Sequence, residues 1–404
     1  MISVEEARKR LLRPLKPLAA EQVGLAEAFG RVLAENVTAR RTQPPAALSA
    51  MDGYAVRTAD VARVPVRLKV VGAVPAGNSY DKPVRPGEAV RIFTGAPLPE
   101  GTDAIVIQED TEREGDIVVV KEGAPGGRYV RPAGLDFVAG SVGIVAGRRL
   151  TARDIGLAAA MDRPWLMVRR RPRVAILATG DEIVMPGDPI GPNQIVSSNS
   201  IALGAFVRAC GGIPLQLGIA ADRPEALRQA AEGARGADLL VTTGGASVGE
   251  HDLVKDALGA AGLELDFWKI AMRPGKPLMV GRYRDAAMVG LPGNPVSTLV
   301  CALIFLKPAI EHLSGLDPSA EPPATARLAR PLPENDRRED YLRATLARGA
   351  DGDLEATPFE KQDSSMISLL ARSDCLVVRP PLAPAAAKGE RVTIIPLGGG
   401  LLAL

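Results

Sequence analysis

The spacing of apolar residues changes several times along the chain, and each change predicts a different kind of element. Ser3-Val4-Glu5-Glu6 reads as a capping box that starts a short amphipathic helix ending near Leu12. A second helix is predicted over 25–35. From 44 to 120 the texture turns to short β-branched runs (64–71, 89–93, 104–108 and 117–120) separated by Pro/Gly turns, the pattern of a small all-β unit. A helix returns over 151–160, with Thr151 placed to cap it and Asp154 three residues on. From Arg173 onward strands and helices alternate. Apolar strands over 174–178, 213–219, 239–242, 267–270 and 287–290 are interleaved with helices over 199–209, 224–235, 253–260 and 296–313. Continuous apolar strands with crossover helices predict a buried parallel sheet in a doubly wound α/β domain. Beyond Pro318 short strands (326–330, 341–347, 375–378 and 392–395) predict a small β-barrel.

Composition narrows the function. Lys+Arg 49 against Asp+Glu 47 leaves a net charge of +2, and aromatics are only 3%. Binding nucleic acid or an anionic membrane by bulk charge is therefore not expected, and the Arg169-Arg170-Arg171-Pro172-Arg173 run reads as a solvated linker. Three separated cysteines and two histidines make neither a disulfide framework nor a zinc site, so any metal is expected to be held by oxygen. Cys210, Cys301 and Cys375 fall in apolar runs and read as small buried hydrophobes. The charged segment 1–16 predicts no export signal, and the uncharged stretch 295–306 is too short to span a bilayer. A cytoplasmic location is the expectation.

Candidate chemistry collects where open α/β sheets bind ligands, beyond the carboxyl ends of their strands. Four unusual loops fall there: Thr179-Gly180-Asp181-Glu182, 243–249 (Thr-Gly-Gly-Ala-Ser-Val-Gly), Arg273-Pro274-Gly275-Lys276-Pro277, and Leu291-Pro292-Gly293-Asn294-Pro295. Glycines let backbone amides approach an anion, so the set points to a phosphate-bearing ligand. None of the loops matches the lysine-containing P-loop or the dinucleotide fingerprint. Lys269, Arg273 and Lys276 place three cations on one strand-to-loop segment, read as an anion site. Glu182, Asp181, Asp222 and Asp252 supply carboxylates on the same edge, a donor set suited to Mg²⁺, although each alone could serve as a helix cap.

These residues carry a resemblance. Ser49-Ala50-Met51-Asp52-Gly53-Tyr54-Ala55-Val56-Arg57, Arg91-Ile92-Phe93-Thr94-Gly95-Ala96-Pro97 and the four loops, in that order, resemble the molybdopterin molybdenumtransferase family, known as MoeA in bacteria and the gephyrin E domain in animals. The resemblance implies insertion of molybdate into adenylylated molybdopterin with release of AMP and with Mg²⁺ present. It also implies an α/β multidomain fold: a split elongated linker domain (1–40 and 140–168), an inserted β-rich domain (41–139), a MogA-like doubly wound domain (169–317) and a C-terminal β-barrel (318–404). The family is dimeric, so Asp52 and Thr94 are expected to complete a cleft on the partner's α/β domain. By motif position the catalytic set falls on Asp52, Thr94, Asp136, Glu182, Asp252, Lys269, Arg273 and Lys276. Substrate contacts fall on Gly244, Gly245, Ser247, Pro292, Asn294, Arg343 and Ser364, and metal ligands on Glu182, Asp222 and Asp252. Two positions depart from the family pattern: Leu135 stands where an acid is frequent, and Arg273 where lysine is common. An adenylyltransferase supplying the substrate and molybdoenzymes accepting the product are the implied partners. Adenylyl transfer to molybdopterin and a non-enzymatic scaffold of the gephyrin type are the alternative functions.

Overall fold

The computed structural model describes residues 1–244, 253–318, 324–349 and 352–398. Its doubly wound sheet has six strands in the order Ile213–Ala220, Arg173–Thr179, Leu239–Thr243, Ala286–Leu291, Met279–Tyr283, Leu263–Trp268. The first four run parallel, as the apolar runs predict. The last two are added antiparallel, so the sheet is mixed rather than wholly parallel. Met279–Tyr283 has no predicted counterpart, because a short strand joined by a tight turn carries no crossover helix to announce it. The predicted 267–270 strand lies earlier, at Leu263–Trp268, and ends before Lys269.

The long closing helix runs from Pro295 to Leu313 with a π-type segment at Ala302–Leu306. It is 19 residues and, by length and composition, apolar enough to cross a membrane, longer than the uncharged 295–306 stretch considered from sequence. Yet 72% of it is buried inside the protein, where Val296, Val300, Phe305 and Ile310 fill the core under the sheet. Helix Val4–Leu12, capped by Ser3, contributes Val4, Ala7 and Leu11 to this same core. It thus packs away from the segment with which the sequence grouped it.

That segment builds a second core together with residues far along the chain. Ala20–Gly24 pairs with Trp165–Arg169, Val37–Thr38 pairs with Val142–Ile144, and Leu33, Phe137, Leu150 and Met161 close between them. Helix Ala152–Ala160 caps one side, with the Thr151/Asp154 capping box formed as its sequence predicts. The predicted 25–35 helix shrinks to Leu25–Ala28, since Gly30 takes a positive φ and the chain then pairs as strand.

Between these segments a six-stranded β sheet is inserted, ordered Ala104–Ile107, Gly53–Val56, Glu88–Ile92, Val66–Val74, Ile117–Val120, Thr111–Glu114. Gly53 is required there: a Cβ at this position would lie 2.1 Å from the Val106 carbonyl oxygen. At the C-terminus Ala324–Leu328, Glu339–Arg348, Leu354–Pro358, Cys375–Arg379 and Arg391–Pro396 form a closed five-stranded barrel, sealed by pairing of Glu339–Arg348 with Cys375–Arg379. Met272–Arg273 of the α/β unit adds to the barrel's Glu339 and Asp340 as a short parallel ladder, fixing one unit on the other.

Candidate functional site

Each predicted loop leaves the carboxyl end of its strand, and side-chain bonds knit several of them into one surface. Asn199 opens helix Asn199–Ala209 and donates through Nδ2 to Thr243 Oγ1 (3.0 Å) and to the Gly293 carbonyl (2.7 Å). Thr243 Oγ1 also donates to the Pro292 carbonyl, at 3.3 Å. Gly244 packs against both neighbours: a Cβ on it would lie 2.2 Å from the Thr179 carbonyl, and its φ of +89° is one that side chains rarely adopt. On the other flank Asn294 Nδ2 donates to Ser364 Oγ at 2.8 Å, and the Val296 N–H reaches the Ser364 carbonyl at 3.1 Å. The start of the long helix therefore touches the barrel directly. Pro292, Asn294, Gly244 and Ser364 are brought together, while Gly245, Ser247 and Asp252 lie outside the described residues.

The acidic group sits beside this surface. Asp181 Oδ1 accepts the Asp222 N–H at 3.1 Å, so Asp181 supports the turn, while Glu182 beside it is exposed and makes no side-chain hydrogen bond or ion pair among the described residues. Glu182 folds back so that its carboxylate would lie within 2.8 Å of a Cβ at Gly180. Burial, followed by the negative charges of Asp181 and Glu182, raises the Asp222 pKa above the ordinary carboxylate value, against the lowering effect of a hydrogen bond from the Asp181 backbone N–H to the Asp222 carboxylate. Among the described residues no group of three or more His, Cys, Asp or Glu side chains is placed to hold a metal ion. The fit to Mg²⁺ therefore rests on donor chemistry: hard carboxylate oxygens of Glu182 and Asp222, with phosphate and water completing the shell as Mg²⁺ commonly requires.

The cations do not behave alike. Lys276 is exposed at the loop tip. Lys269 is half-buried, with a φ of +90°, and its Nζ lies 4.8 Å from the Trp268 ring centroid; Lys255 reaches the same ring at 5.6 Å. Arg273 is paired with the barrel: its guanidinium bonds Asp340 (2.5 Å), Asp336 (3.3 Å) and Asn335 (3.4 Å), an interdomain ion pair, while its side chain stays 45% exposed. Those partners raise its pKa further, Asp340 foremost through its hydrogen bond. Arg343, by contrast, is interior, only 1% exposed. Its Nη2 donates to the Asp363 carbonyl at 3.2 Å, which supports the turn bearing Ser364, and burial lowers its pKa.

Asp52 and Thr94 meet at the edge of the inserted sheet. Asp52 Oδ1 accepts from the Thr94 N–H (2.7 Å) and from Thr94 Oγ1 (2.8 Å), and these two bonds hold its pKa below the ordinary value. Asp136 is exposed on the same unit, its N–H bonded to the Gln43 carbonyl. Among the described residues no hydrogen bond or ion pair links Asp52, Thr94 or Asp136 to the Glu182 edge. The three cysteines are buried, and burial pushes the Cys210 thiol up to about 12, so none is poised as a nucleophile.

Asn199, Asp336, Asp340 and Gln362 were missed from sequence. Asn199 carried a usable signal, an amide opening a helix next to the sheet edge; the others bond partners far along the chain and gave none.

Residues 2–161 match the family described as the MoeA N-terminal region (domain I and II). Residues 175–312 match the "probable molybdopterin binding domain", and 325–397 the MoeA C-terminal region (domain IV). A molybdopterin molybdenumtransferase of Nostoc sp. is 38% identical over 93% of this chain and 88% of its own. One from Haemophilus influenzae is 34% identical over 98% of both chains. The crystal structure of a molybdopterin biosynthesis MoeA protein from Pyrococcus horikoshii superposes with a TM-score of 0.85 at 30% identity, covering 99% of this chain and 100% of that one.

Proposed function

Because the chain belongs to the molybdopterin molybdenumtransferase family, we propose that it inserts molybdate into adenylylated molybdopterin and releases AMP. The observation that carries the reading is the stitched sheet edge. Asn199 binds the 292–294 loop to the end of Leu239–Thr243, and Asn294 binds it to Ser364. Strand-end loops of the α/β unit and a barrel turn thus present one preformed surface, with Lys276 exposed on an adjoining loop.

On that surface the work is positioning and charge neutralisation, without a nucleophilic side chain. Lys276 and Lys269 offset the charge of pyrophosphate and of the molybdate oxyanion. Glu182 and Asp222, with Asp252, are the residues that would hold Mg²⁺, which when bound neutralises charge at the pyrophosphate where AMP departs. Arg273 and Arg343 act indirectly, by fixing the barrel turn against the sheet edge. Asp52, Thr94 and Asp136 belong to a cleft completed across a homodimer, in which the inserted sheet of one subunit faces the α/β unit of the other. The division at 1–40 with 140–168, 41–139, 169–317 and 318–404, with helix Val4–Leu12 seated in the core of the α/β unit, and a cytoplasmic location belong to the same proposal.

Reconstitution tests it. Purified protein with adenylylated molybdopterin, Mg²⁺ and molybdate should activate an apo-molybdoenzyme and release AMP stoichiometrically. Adenylylation of molybdopterin from ATP, with no molybdate-dependent AMP release, would instead support adenylyl transfer.

A further inference from the structure

Aromatic side chains make up only 3% of this protein, yet two of them bracket a single guanidinium next to Asp52. The Arg91 Cζ lies 5.1 Å from the Tyr54 ring centroid and 4.9 Å from that of Phe93. Tyr54 and Arg91 are directly opposed across the antiparallel pair Gly53–Val56/Glu88–Ile92, so the backbone register sets one of the two ring contacts. Arg91 Nη1 donates to the Gly53 carbonyl (3.1 Å) and Nη2 to Gln108 Oε1 (2.5 Å). The Gln108 N–H in turn donates to the Asp52 carbonyl, at 3.1 Å. A closed ring results: Arg91 to Gly53, along the chain to Asp52, across to Gln108, and back to Arg91. Thr94, which supplies both donors to the Asp52 carboxylate, directly follows Phe93, whose ring lies against the guanidinium.

We propose that Arg91 is the positioning residue of the Asp52–Thr94 pair, holding the backbones of both in register so that the carboxylate stays ionised and aimed. The proposal rests on the reading that Asp52 and Thr94 serve the reaction. Arg91 makes no direct ion pair with Asp52 among the described residues; its influence passes through the Gly53 carbonyl, through Gln108 to the Asp52 carbonyl, and through the Phe93 ring. Its charge adds to the lowering of the Asp52 pKa behind the two Thr94 bonds. The other charged group on the ring is Glu109, whose Oε1 accepts from Gln108 Nε2 at 3.3 Å. A lysine could supply the charge but neither the planar face that two rings grip nor two donors in a fixed fork.

The test pairs Arg91→Gln and Arg91→Lys with Asp52→Asn. Arg91→Gln should lower kcat for AMP release about ten-fold with KM within about two-fold, and should have no further effect in the Asp52→Asn background. Arg91→Lys should recover little of the lost rate. Carbon-13 labelling of aspartate, followed by NMR titration without substrate, should place the Asp52 midpoint higher in Arg91→Gln and near wild type in Arg91→Lys. If Arg91→Gln does not fold, Gln108→Leu opens the same ring and should shift kcat and midpoint in the same direction. An unshifted Asp52 midpoint, or rate losses that simply multiply in the double variant, overturns the proposal. A shifted midpoint in a protein without molybdate-dependent AMP release would instead retire the functional reading and leave the positioning role standing.

Discussion

Two carboxylate sites in this molecule are built on opposite electrostatic terms. Asp52 has two donors from Thr94 and a nearby guanidinium, and its pKa is held down. It is ionised and satisfied by its own sheet. Asp222 is surrounded the other way: burial, then the charges of Asp181 and Glu182, push its pKa up. Asp181 and Glu182 make Asp222 harder to ionise, so a cation brought beside it would be favoured. The inserted sheet thus holds a carboxylate satisfied by its own donors, while the α/β edge holds one whose ionisation burial and like charge oppose. Breaking each by substitution should have unlike consequences.

The largest effect is expected at Glu182, which has no structural duty comparable to that of Asp181. Glu182→Ala should cut AMP release by about 100-fold or more, on the scale of losing one preorganised electrostatic contact in a catalytic site. Asp181→Ala should lose less activity and more turn stability, because its carboxylate holds the Asp222 N–H. Single-turnover AMP release and thermal midpoints separate the two, and wild-type rates in both variants would remove the acidic edge from the mechanism.

The cationic segment ranks next. Lys276→Ala and Lys269→Ala should each cost about 1.5–3 kcal/mol of transition-state stabilisation, the worth of a charge-assisted contact. Stability should fall further for Lys269→Ala, which removes a half-buried stem packed on Trp268. Normal kinetics in Lys276→Ala, with the loss appearing in stability instead, would make the segment structural.

Arg273 sharpens the contrast between a ligand-facing cation and a structural one. Arg273→Ala leaves Asp340, 4% exposed, without its guanidinium, and should destabilise by about 2 kcal/mol in urea titration, discounted for the half-exposed arginine. Lysine should rescue only part of this, since it cannot reach Asp336, Asn335 and Asp340 together. An Arg273→Ala protein with full stability and no activity would return the residue to the anion site.

The smallest effect is a sign rather than a size. The Asp222 pKa is raised in the folded state, so the native protein holds that proton longer than the unfolded chain. Its contribution is therefore favourable in acid and is lost as pH rises from the ordinary carboxylate value through the raised one. Asp222→Asn should raise Tm at pH 7 by no more than about 2 °C, with the gain vanishing in acid. A gain that persists unchanged below the carboxylate range would mean that packing, not charge, is responsible.

Local sequence determined much of this protein. The Thr151/Asp154 capping box, helix Asn199–Ala209 and the parallel apolar strands are encoded within a few residues, where capping chemistry and periodicity act. The glycine-bearing loops were legible because only glycine tolerates the backbone they adopt, as at Gly244. Tertiary structure alone decided which charges are free. Nothing near Arg273 in sequence reveals that it is spoken for, because Asp340 lies 67 residues away and reaches it only when the barrel closes onto Met272–Arg273. Arg343 likewise looks like an exposed strand cation until the 362–364 turn covers it. The hydrophobic pattern fixes which face of an element is buried, but a long side chain finds its partner across space, and charge pairing carries no period that a sequence can display.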